Sequence, residues 1–200
     1  MDKLKLTDLV DIAAYEKDRA ARLDAVIALK KRRRIALGPM ITLVFENRDT
    51  LKSQIQEMMR AERLVQESAI LAELEVYNDL IPAENELSAT LFIEVDDPAR
   101  VRSVLDRFIG LDEGERLQMR FDAGMSVPAR FETGHSRDDR ISAVHFVKFP
   151  LDATAAAAFR SGNGRVELVV SHPHYEATAD IACEVRTALA EDLRPHELAS

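Results

Sequence analysis

The sequence predicts an α+β fold in which helices pack on a largely antiparallel sheet. Apolar and polar residues alternate over 87–95, which is typical of a half-buried strand. They alternate again over 115–132, on either side of a turn at 122–124, which predicts a hairpin. This hairpin interrupts the alternation of strands and helices, and no glycine-rich turn follows a strand, so the pattern disfavours a doubly wound parallel sheet.

The N-terminal third is predicted to be mainly helical. Thr7 can cap a first short helix, and a longer helix ends in the basic run 30–34, whose cations would stabilise a helix C-terminus. Gly38-Pro39 marks a turn before an apolar strand. The predicted elements are a helix at 8–15, a helix at 16–32, a strand at 40–45 and a long polar helix at 50–77 that breaks near 66–68.

In the rest of the chain, strands are interleaved with short helices. Asp97-Pro98 combines an N-cap residue with a proline at the first helical position, and Gly110 ends that helix. The further predicted elements are a strand at 141–149, an alanine-rich helix at 153–160, a strand at 166–171 and a final helix at 177–193.

Length and composition fit one domain. The 200 residues, of which 46% are hydrophobic and 31% charged, suit a single domain over 1–200, with a helical segment at 1–34 and an α+β core at 35–200. No apolar run approaches the ~20 residues of a membrane span, and the N-terminus has no apolar signal region. We therefore expect a cytoplasmic protein without a membrane span.

Charge and cysteine content exclude several classes of function. The net charge of −8 opposes binding to nucleic acid or to anionic membranes, and the absence of tryptophan leaves little for base stacking. The single cysteine, Cys183, excludes an internal disulfide and a cysteine-only metal or iron–sulfur site within one chain.

The segment 35–63 is the most informative part of the sequence. It predicts a strand, a turn at Arg48 and a helix that carries more hydrogen-bonding side chains than a linker helix needs. Such a density suggests a contact or ligand-binding face. Its predicted members are Glu46, Asn47, Arg48, Gln56, Arg60 and Arg63.

Glu62 stands out on the same helix. At ~100° per residue, it falls near the centre of an apolar face that includes Leu51, Ile55 and Val65. A carboxylate on such a face needs a partner, so we expect Glu62 to be buried and paired. A salt bridge to an arginine is the favoured interpretation, and a metal ligand or general base is the alternative.

Two histidines extend that alternative. His145 lies in a strand that is apolar on both faces, and His172 follows the strand at 166–171. With Glu62 they could form a two-histidine, one-carboxylate set, which suits non-haem iron or manganese. In the competing interpretation, His145 donates to a backbone carbonyl in the core, while His172 and His174 face solvent.

Several motifs resemble a known family. They are KKRRRIALGP, LVFENRDTLKSQIQEMMRAER, YNDLIP, ATLFIE, SAVHF, HPHY and ALAEDL, which follow in order along nearly the whole chain. The chain thus resembles an uncharacterised bacterial family, the domain of unknown function numbered three-five-zero-one. The resemblance implies involvement in redox or oxidative-stress chemistry, because the family's genes tend to lie beside genes for a rubrerythrin-like protein and an iron–sulfur, flavin-linked oxidoreductase. It identifies no catalytic residue.

Three hypotheses follow. In the first, the protein is a non-catalytic accessory or binding subunit that works with the iron–sulfur oxidoreductase or the rubrerythrin-like protein. In the second, it is a metal-binding protein or metalloenzyme that uses Glu62, His145 and His172. In the third, the role is structural and the polar helix belongs to an internal hydrogen-bond network.

Overall fold

The computed structural model describes residues 1–122, 124–132, 136–137 and 140–193. In this part of the chain, antiparallel sheets and α-helices combine and confirm the predicted α+β class. The helices are Ile12–Lys31 (α1), Arg48–Glu62 (α2), Glu67–Asp79 (α3), Val101–Leu105 (α4), Ala153–Ser161 (α5) and Cys183–Ala190 (α6). The strands are Arg34–Leu37 (β1), Ile41–Glu46 (β2), Glu86–Ile93 (β3), Leu117–Phe121 (β4), Ser126–Pro128 (β5), Arg130–Phe131 (β6), Ser136–Arg137 (β7), Arg140–Ile141 (β8), Val144–Pro150 (β9), Val166–His172 (β10) and Tyr175–Asp180 (β11).

The N-terminal segment forms one long helix, Ile12–Lys31. The prediction of two separate helices, at 8–15 and 16–32, is therefore wrong. Thr7 lies in a single 3₁₀ turn, Leu6–Asp8, and the chain is extended at Leu9. Helix α1 begins only after Asp11, whose side chain accepts a hydrogen bond from the backbone N–H of Ala14. The cap that decides the helix start is therefore Asp11.

A five-stranded sheet has the order β1-β2-β3-β9-β6. Strand β1 was not predicted, because its arginine belongs to the basic run and hides the alternation of exposed and buried residues. Gly38 makes the β1–β2 turn possible, with a φ of +72° that L side chains rarely adopt. The predicted strand at 141–149 begins later, at Val144, because Arg140–Ile141 pairs with β7 instead.

A four-stranded sheet has the order β11-β10-β4-β5. Strand β11 lies where the sequence predicts the start of the final helix, so the helix prediction at 177–193 is wrong for its first part. Ala177 and Ala179 favour helix by themselves, but here they pair with β10 and pack against the main core. The helix that follows is shorter, Cys183–Ala190.

The five-stranded sheet is covered on both faces. One face contributes to a large core that also includes residues of β4, β10, α5 and α6. The other face lies under a smaller core in which Leu51 and Ile55 of α2 meet Ile70 and Leu74 of α3. No helix in the described ranges is long and apolar enough to cross a membrane.

The prediction that Glu62 is buried and paired is wrong. Glu62 is the last residue of α2 and is exposed. Arg63 follows in the left-handed conformation (φ 53°) and ends the helix. The helical wheel includes Val65, which lies beyond this end and is 77% exposed. Leu51 and Ile55 of the predicted face are fully buried, and Met59 is buried beside them.

Candidate functional site

The predicted strand–turn–helix at 35–63 is confirmed, and local hydrogen bonds explain its turn. Asn47 caps α2, since its Oδ1 accepts from the backbone N–H groups of Asp49 (3.1 Å) and Thr50 (3.0 Å). The Thr50 hydroxyl oxygen in turn accepts from the backbone N–H of Asn47 at 2.9 Å. Arg48 is the first residue of the helix and forms an ion pair with Asp8 at 2.6 Å.

The polar side of α2 binds the N-terminal segment of the same chain. Gln56 is buried and makes two hydrogen bonds to Val10, one from the Val10 N–H (2.8 Å) and one to its carbonyl oxygen (3.0 Å). Glu57 accepts from the Tyr15 hydroxyl at 2.8 Å and from two nitrogens of Arg19 at 2.8 and 2.9 Å. These contacts fasten α1 to α2.

The same contacts shift two pKa values. Burial raises the pKa of Tyr15 to about 12, and the hydrogen bond to the Glu57 carboxylate adds to this increase. The hydrogen bonds from Arg19 are the largest cause of a lowered Glu57 pKa, and the Tyr15 hydroxyl lowers it further. The phenol thus stays protonated and the carboxylate ionised over the physiological range.

The predicted binding face is largely used within the chain. Glu46 is buried and accepts from the Thr90 hydroxyl at 2.8 Å. Arg60 lies 3.6 Å from Glu16 and 3.7 Å from Glu57. With Asn47, Arg48 and Gln56 engaged as described, only Arg63 of the six predicted residues is exposed.

A groove opens between α1 and α2 beyond the Tyr15–Glu57 contact. We name it the α1–α2 groove, and its volume is about 310 Å³. Apolar side chains of α1 and polar side chains of α2 form its walls. The lining residues are Tyr15, Arg22, Ala25, Val26, Leu29, Asp49, Lys52, Ser53 and Gln56.

Arg22 is the most unusual residue of the α1–α2 groove. Its guanidinium lies over the Tyr15 ring, 5.9 Å from the ring centroid, and 3.7 Å from the carboxylate of Asp18. The Nε atom is shielded from solvent and has no hydrogen-bond partner within the described part of the chain. A shielded donor without an acceptor is costly, and the part of the guanidinium that lines the groove remains able to pair with an anion.

Comparisons with known proteins identify the family. The family model described as "Protein of unknown function (DUF3501)" matches residues 3–193. The chain belongs to this family. A crystal structure of a protein of unknown function from Burkholderia pseudomallei K96243 resembles this DUF3501 chain, with a TM-score of 0.89 and 35% sequence identity over 96% of this chain and 100% of that chain. No curated protein matches.

In this DUF3501 chain, the rings of His145 and His172 bind backbone groups. His145 Nε2 lies 2.8 Å from the Ser142 carbonyl oxygen, in agreement with the competing interpretation for that residue. His172 is buried, contrary to that interpretation, and its Nε2 lies 3.0 Å from the Ile109 carbonyl oxygen. Its Nδ1 accepts from the backbone N–H of His174. In His172, the bond to the Ile109 carbonyl oxygen requires a proton on Nε2, and the bond from the His174 N–H uses the lone pair of Nδ1.

The predicted metal set is not brought together. Glu62 is exposed at the end of α2, whereas His145 and His172 lie in two different sheets. Within the described ranges, no group of three or more His, Cys, Asp or Glu side chains could hold a metal ion. The set failed because Glu62 is the last residue of α2, where the helix end leaves it exposed.

The α1–α2 groove was missed by the sequence reasoning. Arg22, Val26 and Leu29 are spaced for one helical face, but α1 has only Tyr15 fully buried and no strong apolar stripe. The spacing alone is typical of ordinary packing. Only the position of α2 beside that face turns these residues into a groove.

Proposed function

We propose that this DUF3501 protein is a non-catalytic accessory subunit of a redox protein. It binds, in the α1–α2 groove, an acidic segment of that protein that carries one or two apolar anchoring side chains. The partner would be the iron–sulfur, flavin-linked oxidoreductase or the rubrerythrin-like protein implied by the family resemblance. The proposal places both proteins in the cytoplasm.

One observation carries the proposal: a groove with an apolar α1 wall also has a guanidinium group in its lining. Val26 and Leu29 can bury an aliphatic or aromatic side chain. The Arg22 guanidinium lines the groove, and a guanidinium is well suited to a carboxylate. The volume of about 310 Å³ is near the lower end of ligand sites, which suits one or two anchoring side chains better than a whole helix.

Charge supports an acidic partner. Lys52 and Asp49 both lie on the α2 wall of the groove and offset each other in charge. Lys31 and Arg32 are exposed just beyond the α1 residue Leu29 and add positive charge at that end. Neither Lys31 nor Arg32 forms an ion pair with another described residue, so both charges are available. A local cationic region on a chain of net charge −8 would orient an acidic segment towards this end of the molecule.

The test is a direct binding measurement with the two purified candidate partners. We expect one of them to bind the wild-type protein in calorimetry. Val26→Asp should weaken this binding at least about tenfold, because it places a charge on the apolar α1 wall of the groove. Arg22→Gln should weaken it as well, through the lost charge-assisted hydrogen bond.

Ile27→Asp is the matched control. Ile27 is the neighbour of Val26 on α1, is 52% exposed and does not line the groove. This variant should bind like the wild type, and circular dichroism should show that all variants are folded. Equal weakening by Val26→Asp and Ile27→Asp, or no binding of either partner to the wild-type protein, would reject the proposal.

A further inference from the structure

A second cavity lies on another part of the molecule, between α5, strands β10 and β11, and α6. Its volume is about 300 Å³. We propose that it binds a small oxyanion, the carboxylate or phosphate group of a metabolite. We name it the arginine cavity after the three guanidinium groups in its lining. The residues used below are Arg160, Arg165, Asp180, Cys183 and Arg186.

Arg186 has a buried charge that no carboxylate contacts within the described part of the chain. The residue is only 6% exposed. Its Nε and Nη1 donate to the carbonyl oxygens of Phe159 (2.9 Å) and Gly164 (2.6 Å). Its Nη2 donates to those of Ala158 (2.6 Å) and Asn163 (3.0 Å). These four carbonyl groups use four of the five N–H groups of the guanidinium and carry no net charge. Among the described residues, the charge is therefore offset only by the Asp122 carboxylate, which acts on it without direct contact.

Arg160 adds a second positive charge, and this one is exposed. Its Nη1 donates to the Asn85 side-chain oxygen at 3.3 Å and to the Leu193 carbonyl oxygen at 2.8 Å. In the described part of the chain, neither Arg160 nor Arg186 contacts a carboxylate. The residue is exposed, so the rest of its guanidinium is accessible to a ligand.

The acidic residue of the cavity does not balance these two charges. Asp180 pairs with Arg165, which also lies 3.2 Å from Glu167. The lining therefore retains two guanidinium groups without a carboxylate contact, on a chain whose net charge is −8. Arg160 is the accessible one, and the buried Arg186 contributes its charge. Planar guanidinium groups match the geometry of carboxylate and phosphate oxygens, which makes an oxyanion the complementary ligand.

Cys183 provides a reporter at the cavity wall. It is exposed and is the only cysteine of the chain, so every alkylation event is assigned to it. Iodoacetate and iodoacetamide transfer groups of similar size, but only iodoacetate is an anion. We expect the rate ratio of iodoacetate to iodoacetamide to be at least about fivefold higher for the folded protein than for the same chain unfolded in urea.

Arg160→Gln should lower that ratio without a change in the iodoacetamide rate. Arg160 is the better target, because loss of Arg186 would also remove the hydrogen bonds that hold residues 158–164. Arg102→Gln is the matched control, since Arg102 is exposed on α4 and does not line the cavity. This control should keep the wild-type ratio.

A protection experiment identifies the ligand class. Inorganic phosphate or succinate should slow alkylation by iodoacetate more than sodium chloride does at the same ionic strength, and the more effective of the two identifies the preferred oxyanion. The proposal is overturned if folded and unfolded chains show the same ratio, if Arg160→Gln and Arg102→Gln act alike, or if neither oxyanion protects beyond the salt effect. It does not depend on the α1–α2 groove.

Discussion

The Tyr15 hydroxyl is a single group that links the two helices of the groove. It donates to Glu57 and is only 2% exposed, and its pKa of about 12 compares with an ordinary value of 10.0. Because the pKa is raised in the folded state, its stabilisation is fully present below pH 10 and is lost as the pH rises through 12.

We therefore predict that the stability advantage of the wild-type protein over Tyr15→Phe shrinks between pH 10 and 12. The change is at most about 2–3 kcal/mol in the free energy of unfolding. Urea denaturation of both proteins across this range measures it, and absorbance at high pH follows phenolate formation directly. A difference between the two proteins that does not vary with pH would contradict the assignment.

Arg33 shows that one residue of a basic run can have a separate role. The sequence assigns the run 30–34 to a helix end, but Arg33 is 2% exposed and forms an ion pair with Asp192. It also donates to the carbonyl oxygens of Phe45 at 2.9 Å and Glu46 at 3.3 Å. Burial raises the pKa of Asp192, against the opposing effect of the Arg33 charge.

Removal of this arginine should leave a buried carboxylate without its counterion. We predict that Arg33→Met lowers the free energy of unfolding by ~3–5 kcal/mol at neutral pH. The pKa of Asp192 should rise further above 3.8, so stability lost at neutral pH returns as the pH falls through the folded value. Urea denaturation at pH values on either side of that pKa tests both parts. Lys31→Met, at an exposed neighbouring position, should change stability by less than about 0.5 kcal/mol.

At the scale of elements, the β1–β2 turn depends on a glycine that touches the other sheet. A Cβ atom at Gly38 would lie 2.4 Å from the hydroxyl oxygen of Tyr175. That hydroxyl donates to the Leu37 carbonyl oxygen at 2.6 Å and accepts from the Met40 N–H at 3.2 Å. The turn and strand β11 are thus held together at this point.

Gly162 allows a matched comparison with Gly38. Its φ of +73° is nearly that of Gly38, but no atom lies within 4 Å of a Cβ atom placed there. We predict that Gly162→Ala costs ~1–2 kcal/mol through the left-handed backbone alone. Gly38→Ala should cost more, because it also displaces Tyr175, and thermal or urea unfolding of both variants measures the difference. Equal destabilisation would show that the Tyr175 contact has no energetic weight.

At the scale of the whole molecule, α1 is the least firmly attached helix of the groove. Its twenty residues include only one buried side chain, that of Tyr15. Strand β3 is central in its sheet and has almost all of its residues buried. Helices with few buried contacts open locally before the molecule unfolds.

We predict that the amides of α1 exchange with deuterium faster than those of β3 and do so by local opening. Mass spectrometry at increasing, sub-denaturing urea concentrations distinguishes this from global unfolding, since local opening depends only weakly on urea. A partner segment bound in the α1–α2 groove should slow exchange in α1 and leave β3 unchanged. Equal protection of α1 and β3 in the free protein would argue against a separately opening helix.

The secondary structure was predictable wherever local patterns and caps agree. The alternation at 87–95 and the helix at 153–160 reappear as β3 and α5. The hairpin predicted at 115–132 is present as β4–β5, but its last part, Arg130–Phe131, pairs with β9 of the other sheet. At 175–180, local helix propensity and tertiary pairing disagree, and the pairing with β10 prevails. At 48–65, the spacing of apolar residues could not reveal that Arg63 ends the helix.

The sequence by itself determined the α+β class, the strand–turn–helix at 35–63 and the family, because these depend on periodicity and on local motifs. Only the tertiary structure decided how the polar residues are used. Gln56 binds the segment before α1 and Glu57 binds α1 itself, because residues far apart in the chain meet there. Arg22 and Arg186 likewise line cavities that form only between separate elements. A helical wheel describes one helix and contains no information about the element that packs against it.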